Sequence, residues 1–399
     1  MPFIFLHGML YLIITCCFMA NYNNFSICIN VGETMDSNTG IIEEFDAKIA
    51  ELKLSNFMIF HQLNLQFSKG INIISGENST GKTALLKLLY ASLKAMVMAG
   101  KDRNVSADTN VQHFVSKFQG VFRPDAFRIG RLVSRRQGVN TAAVEILFFN
   151  QKKCKFEFTT RHEKSMNLAY NSELSSILSD PVYLPPKEII SSAENFGSLY
   201  RDYQIAFEET YADLCYLLEK PLKKGPNKKE QNIVLEKFES ILNGRVIQKD
   251  KKFYLNVNGA GNFEMGLVSE GYRKLATIMY LIQSDSLNRN SVVFWDEPES
   301  NMNPKLIWPI AKALRELSNM GVQIFISTHS YFVQQAFDLL AREGKASDIK
   351  FFSLYRDEDD GELRAEVTDF TSDLQHNAVM EEFDAIYDRE QDCFYQDYN

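Results

Sequence analysis

An α/β fold built on buried parallel strands is the class the sequence predicts, and three apolar runs predict it. Ile71 to Ser75 leads into the octapeptide Gly76-Glu77-Asn78-Ser79-Thr80-Gly81-Lys82-Thr83 and then into a helical pattern. Ser291 to Trp295 ends in Asp296 and Glu297, and Ile324 to Ser327 ends in Thr328 and His329. Runs apolar on both faces suit strands covered on two sides, whose carboxyl ends deliver polar residues to one edge of a sheet.

The elements follow in order from periodicity and breakers. Residues 48 to 75 predict two or three strands, with a turn at Lys69-Gly70, then a helix over 82 to 98 with Gly100 as its expected end cap. Phe127 to Thr160 alternates and turns at Gly138-Val139-Asn140, which predicts an antiparallel β-lobe. Residues 187 to 242 are expected to form a helical insertion, broken by Pro221 and Gly225-Pro226. A strand pair from Val246 to Val257 turns at Lys249-Asp250, and a helix follows from Arg273 to Ile282. Asn303 and Pro304 read as N-cap and first-turn proline of a helix closed by Gly321, with Pro309 expected to kink its second turn. Phe351 to Val367 predicts a last hairpin turning at Asp360-Gly361. The acids Asp357 to Asp360 belong to that turn and are read as solvated. The expected partition is an extension over 1–34, a main domain over 48–370 that contains the lobe (127–160) and the insertion (187–242), and a tail over 371–399.

The octapeptide is G-x-x-x-x-G-K-[ST], a P-loop, and its strand–loop–helix context separates it from an unliganded Gly-rich turn. Gly76, Glu77, Asn78, Ser79, Thr80, Gly81, Lys82 and Thr83 are the expected triphosphate contacts. Backbone amides and the helix N-terminus attract the phosphates, Lys82 reaches the terminal ones, and the Thr83 hydroxyl ligates Mg²⁺. Asp296 suits the same Mg²⁺, and Glu297 suits polarising the attacking water. His329 is placed to meet the γ-phosphate. A carboxylate pair capping the turn before Pro298, and a structural histidine, are the bland alternatives.

Val268-Ser269-Glu270-Gly271-Tyr272 opens a helix before the Asp-Glu strand. It resembles the LSGGQ signature of the ATP-binding-cassette (ABC) superfamily, keeping the serine and the second glycine. The resemblance covers residues 52 to about 370. It implies an α/β P-loop NTPase of the ABC-ATPase type, ATP and Mg²⁺ as ligands, and ATP hydrolysis. It also implies a head-to-tail dimer in which Ser269 and Gly271 complete the site of the other subunit. Asn301 and Asn303 fall in the stretch that crosses such an interface. Within the superfamily, the segments Glu270 to Leu275, Asp296 to Pro304, Ser327 to Ser330 and Leu52 to Phe57 look like the SMC/OLD-like ATPases of bacteria. The nearest resemblance is to compact ATPases of Septu- and retron-associated anti-phage defence. That implies a switch controlling a partner effector such as a nuclease. A transporter subunit and a DNA-repair ATPase are the alternative readings.

Two departures bear on this. Val182 to Glu188 stands where the ABC glutamine loop is expected but carries no glutamine, leaving Lys187 or Glu188 as substitutes, or a plain Pro-Pro turn. The stretch between P-loop and signature is too short for a long coiled-coil arm, and the chain after His329 is too short for a complete TOPRIM nuclease.

With 399 residues, 45% of them hydrophobic, the chain can bury a large core. A net charge of −8 argues against nonspecific coating of nucleic acid. Two basic stretches, Lys220 to Lys229 and Arg131, Arg135 and Arg136, leave a local nucleic-acid contact open, with a solvated face as the alternative. Cys16, Cys17, Cys28, Cys154, Cys215 and Cys393 show no metal spacing and read as free thiols of a cytoplasmic protein. Phe3 to Met19 is apolar, about the length of a short membrane span. It reads as an anchor, a partner-facing helix, or a start upstream of a natural one at Met35.

Overall fold

The computed structural model describes residues 46–102, 106–203, 205–344 and 348–396. The expected extension over 1–34, and Met35, lie outside the described residues.

A six-stranded sheet organises the molecule, in the order β14-β13-β3-β12-β11-β7. Its members are β3 (Ile71–Gly76), β7 (Val182–Leu184), β11 (Val292–Asp296), β12 (Gln323–Ser327), β13 (Ile349–Arg356) and β14 (Leu363–Thr368). All neighbours run parallel except β14, which returns antiparallel to β13. The three runs singled out in the sequence are thus adjacent, with β12 between β3 and β11. Period-two alternation divides their side chains. Val293, Trp295, Ile324 and Ile326 enter one core, and Val292, Phe294 and Phe325 enter the other.

The second core lies under a five-stranded antiparallel sheet in the order β2-β1-β4-β5-β6. It comprises β1 (Ile49–Phe57), β2 (Phe60–Gln66), β4 (Thr141–Phe148), β5 (Lys153–Thr159) and β6 (Asn167–Tyr170). The β-lobe expected over 127–160 is antiparallel but not free-standing, because β4 pairs with β1 and extends the N-terminal hairpin. Its turn falls at 149–152 rather than at Gly138. Against this core pack α1 (Lys82–Lys101) and α2 (Ala107–Phe122). Helix α1 runs past the expected end at residue 98, and Gly100 lies within it. A Cβ there would meet the Ser175 carbonyl at 2.5 Å, so this glycine serves a close approach rather than a cap. Among the described residues α1 alone is long and apolar enough to cross a membrane, and its apolar window is 67% buried, as a core helix is.

The first core gathers α3 (Phe196–Tyr203), α4 (Glu209–Leu218) and α5 (Lys229–Leu242) of the helical insertion. It also takes α6 (Glu270–Gln283), α7 (Ile307–Asn319) and α8 (Tyr331–Glu343). The break between α4 and α5 falls at Pro221 to Pro226, as expected. A small sheet of β8 (Gly244–Lys249), β9 (Lys252–Val257) and β10 (Gly261–Glu264) leads to α6. Pro309 is only the third residue of α7, where its missing N–H would have had no helical partner, so it fits without the expected kink. The tail over 371–399 contains a helix the sequence reading did not anticipate, α9 (Ala378–Gln396), with Phe383 stacked on Tyr331 at 4.0 Å between ring centroids.

Candidate functional site

The P-loop joins β3 to α1 through backbone that glycine makes accessible. Gly76 and Gly81 have φ of 143° and 90°, and Ser79 between them has φ of 64°. A Cβ on Gly81 would meet the Phe60 ring at 2.5 Å, so only glycine fits where the loop crosses β2. Lys82 is buried, and its Nζ donates to the carbonyls of Gly76 at 2.8 Å and Glu77 at 2.7 Å. Burial pushes its pKa down to about 8, against the opposing pull of Glu297, Asp296, Glu299 and Glu77.

Parallel pairing brings the ends of β11 and β12 to the start of α1. Asp296, 1% exposed, is held by three hydroxyls. Thr83 Oγ1 donates to Oδ1 at 3.0 Å, Ser327 Oγ donates to the same oxygen, and Tyr183 OH donates to Oδ2 at 3.0 Å. The hard oxygens of Thr83 and Asp296 fit Mg²⁺, which takes one or two protein ligands and completes its shell with phosphate and water. Among the described residues no cluster of three or more His, Cys, Asp or Glu offers an alternative metal site, and Asp357 and Asp360 instead pair with Arg364.

Glu297 adopts a left-handed backbone (φ 48°) and is part-exposed at the cleft. Burial, then Asp296 and Glu299, raise its pKa, while Lys82 and Lys274 draw it down. His329 Nε2 lies 3.8 Å from Glu297 Oε1. Burial and Lys82 lower the histidine pKa against Asp296, favouring the neutral ring. Asn78, Ser79, Gly81, Lys82, Thr83, Glu297 and His329 therefore line one cleft of about 450 Å³. Met58, Ile59, Ala84 and Phe122 add an apolar wall to it.

Ser269 and Gly271 do not line this cleft. Ser269 is the exposed N-cap of α6 and its side chain caps nothing, while Gly271 is buried against Met302 and Asn301. Asn301 Nδ2 donates to Glu270 Oε2 at 3.1 Å, and Asn303 caps the turn at Pro304 by accepting from Lys305 N. Lys187 is exposed, and Glu188 is engaged by Ser191 and by Arg273, whose Nε lies 3.0 Å away. In that segment it is Tyr183 that reaches the site.

Tyr183, Lys274, Glu299 and the apolar wall are the members sequence reasoning missed. Tyr183 had one signal: a buried tyrosine needs a partner for its hydroxyl, and it follows Val182 in a short apolar run. Of the basic stretches, Lys220 and Lys223 pair with Asp180 and Asp285. Arg131, Arg135 and Arg136 line a second concavity of about 510 Å³ with His61 and Arg356.

Residues 71–333 match the family described as "AAA domain, putative AbiEii toxin, Type IV TA system". No curated protein matches the chain. Among solved structures, an SMC head bound to the C-winged helix domain of ScpA is similar at a TM-score of 0.51 and 16% identity, over 82% of this chain and 98% of that one. The SMC head domain from Thermotoga maritima gives 0.45 and 14%, over 80% and 99%. A Pyrococcus furiosus Smc head with an extended coiled coil, bound to the C-terminal domain of ScpA, gives 0.46 and 14%, over 86% and 99%. The match over residues 71–333, together with the P-loop geometry and the SMC-head-like fold, places the chain in that AAA-domain family.

Proposed function

We propose that this chain is an ATP-hydrolysing switch that closes as a dimer on two ATP molecules and opens after phosphate release. The observation that carries the reading is the division of its motifs. One chain gathers P-loop, acids and histidine in one cleft, and leaves the signature serine exposed elsewhere on its surface. A second copy would supply Ser269 and Gly271.

Lys82 would exchange its two loop carbonyls for phosphate oxygens. Mg²⁺, when bound with the triphosphate, supplies neutralisation of phosphate charge, and Thr83 and Asp296 would hold it. Glu297 would orient the attacking water and accept its proton, and His329 would meet the γ-phosphate from the end of the neighbouring strand β12. Met58, Ile59 and Phe122 offer the apolar wall a base needs.

The role assigned to the switch is control of a partner effector, a nuclease being the form the sequence resemblance favours, in anti-phage defence. The family description, which speaks of a toxin of a toxin–antitoxin system, supports an effector-linked role. A structure of the same fold with ScpA bound supports a head that carries a partner. Residues 48–370 would form the ATPase domain, with the helical insertion where an arm would emerge.

The test is the solution mass of wild type and Glu297→Gln with and without ATP·Mg²⁺. The variant is expected to shift to dimer with ATP and to lose turnover by about a hundredfold or more. Wild-type turnover in the variant would remove Glu297 from the mechanism, and a persistent monomer would contradict the clamp.

A further inference from the structure

Between the acids of β11 and the start of α7 the chain makes a turn that is gripped from two sides. On one side is α6, the helix that begins at the signature. Its Lys274, 4% exposed, donates from Nζ to the carbonyl of Ser300 at 2.7 Å and of Glu297 at 3.3 Å. Its Glu270 accepts from Asn301 at 3.1 Å. On the other side is the end of β12. Glu299 Oε1 accepts from the Thr328 hydroxyl at 2.7 Å and from the His329 backbone N–H at 2.8 Å.

Glu299 Oε2 is buried with no hydrogen-bond partner among the described residues. An unpaired buried carboxylate oxygen costs stability, so Oε1 carries the side chain's hydrogen bonds. The turn itself holds two left-handed non-glycine residues, Glu297 at φ 48° and Asn301 at φ 58°. Such backbone is sparsely populated for a residue like Glu297, and the contacts on both sides hold it there.

We propose that Glu299 is a positioning residue that couples the two ATP sites of the dimer. This deepens the clamp reading and rests on it. The signature end of α6 would meet the partner's ATP, and Lys274 passes its position to the turn. Glu299 passes the position of the turn to Thr328 and His329, which face the chain's own ATP. A partner site that fills thereby sets the histidine of the other, through one contiguous row of contacts with a strained turn in the middle.

The test compares wild type, Glu299→Ala and Glu299→Gln as full chains. Its readouts are kcat, KM for ATP, the Hill coefficient for ATP, the melting temperature, and the His329 amide resonance in ¹H–¹⁵N spectra. Loss of the tether in Glu299→Ala is expected to lower kcat by about 10- to 100-fold with KM within about threefold. Its Hill coefficient should fall to 1 and its melting temperature should stay within about 3 °C of wild type. Glu299→Gln keeps the Oε1 acceptor, and should restore cooperativity and return the His329 amide toward its wild-type position.

A Glu299→Ala protein with wild-type kcat and cooperativity overturns the proposal, as does a wild-type Hill coefficient of 1. If wild type itself turns over no ATP, the ATPase reading falls. The amide then still decides the tether: displaced in Glu299→Ala and restored in Glu299→Gln supports it, unmoved in both refutes it.

Discussion

Replacing Tyr183 with phenylalanine removes one hydrogen-bond donor from the buried carboxylate of Asp296. Asp296 is 1% exposed and Tyr183 2% exposed, so water has no route to replace the lost donor without displacing packed side chains. Burial, and then the Asp296 charge, hold the Tyr183 pKa well above its usual value, so the hydroxyl is protonated and donates. Its bond to Oδ2 is 3.0 Å, and no other described residue donates to that oxygen. A hydrogen bond to a charged acceptor contributes about 1.5–3 kcal/mol, and the phenyl ring keeps the remaining packing. Tyr183→Phe is therefore expected to lower the unfolding free energy of the ligand-free protein by about 2 kcal/mol in urea titrations. ATP·Mg²⁺ should narrow that gap, because a cation held at Asp296 would offset the charge of a carboxylate that has lost a donor. By linkage the variant then binds ATP·Mg²⁺ at least as tightly as wild type, with about tenfold in Kd for each 1.4 kcal/mol recovered. A stability change below about 0.5 kcal/mol would refute the bond's assigned weight. Unchanged stability with weaker ATP binding would mean that Tyr183 serves the nucleotide and not Asp296.

Two further substitutions test the scaffold. Lys117 is 1% exposed at its side chain and donates to Glu209 at 2.6 Å and Asp213 at 2.9 Å, while Asp213 also accepts from Tyr90 OH at 2.6 Å. Lys117→Met strands two acids between α2 and α4 and is expected to cost about 3–5 kcal/mol by urea unfolding. A loss under about 1 kcal/mol would show that water reaches the cluster. Asp180 is the second case: burial raises its pKa, but Lys94 and Lys101 outweigh burial and hold it at about 2. A depressed carboxylate stabilises above its unfolded pKa and loses that contribution as pH falls through the folded one. Asp180→Asn should thus be less stable than wild type by about 1–2 kcal/mol at neutral pH, after solvent screening, with the difference vanishing as pH falls from about 4 to about 2. A difference constant across that range would assign the loss to packing instead.

What the sequence made legible was what lies contiguous in it. The P-loop octapeptide, the Asp-Glu pair and the strand-end histidine each sit within a few residues of an apolar run, so local pattern suffices to place them on strand ends. Parallel order then brings them together. Tyr183 left only a weak signal because its partner lies 113 residues away and its own strand is three residues long. Glu299 stood in plain view beside Glu297, but its partners Thr328 and His329 are reached only because β11 and β12 are neighbours. The union of β4 with β1 was equally hidden. Two helices separate them in the chain, and alternation reports which face is buried but not which edge is paired. Gly100 misled for a related reason. Near the end of a helical pattern a glycine reads as a stop, whereas here a neighbouring backbone demanded the missing side chain.

The cleft also indicates where the free energy of nucleotide binding would be spent. Gly76, Ser79 and Gly81 hold left-handed backbone in the loop. Asp296 is likewise fixed by its three hydroxyls. Lys82 is different: its ammonium is folded into the loop on two carbonyls and must leave both to meet a phosphate. Those carbonyls hold the charged lysine in a site whose burial favours the neutral form, as its lowered pKa records. Phosphate charge would replace them with a stronger partner, so the swap would favour binding. The site is thus set in its loop backbone and at Asp296, and poised in one side chain. On the proposed clamp, closure by a second copy would then draw on contacts that the single chain leaves unmade.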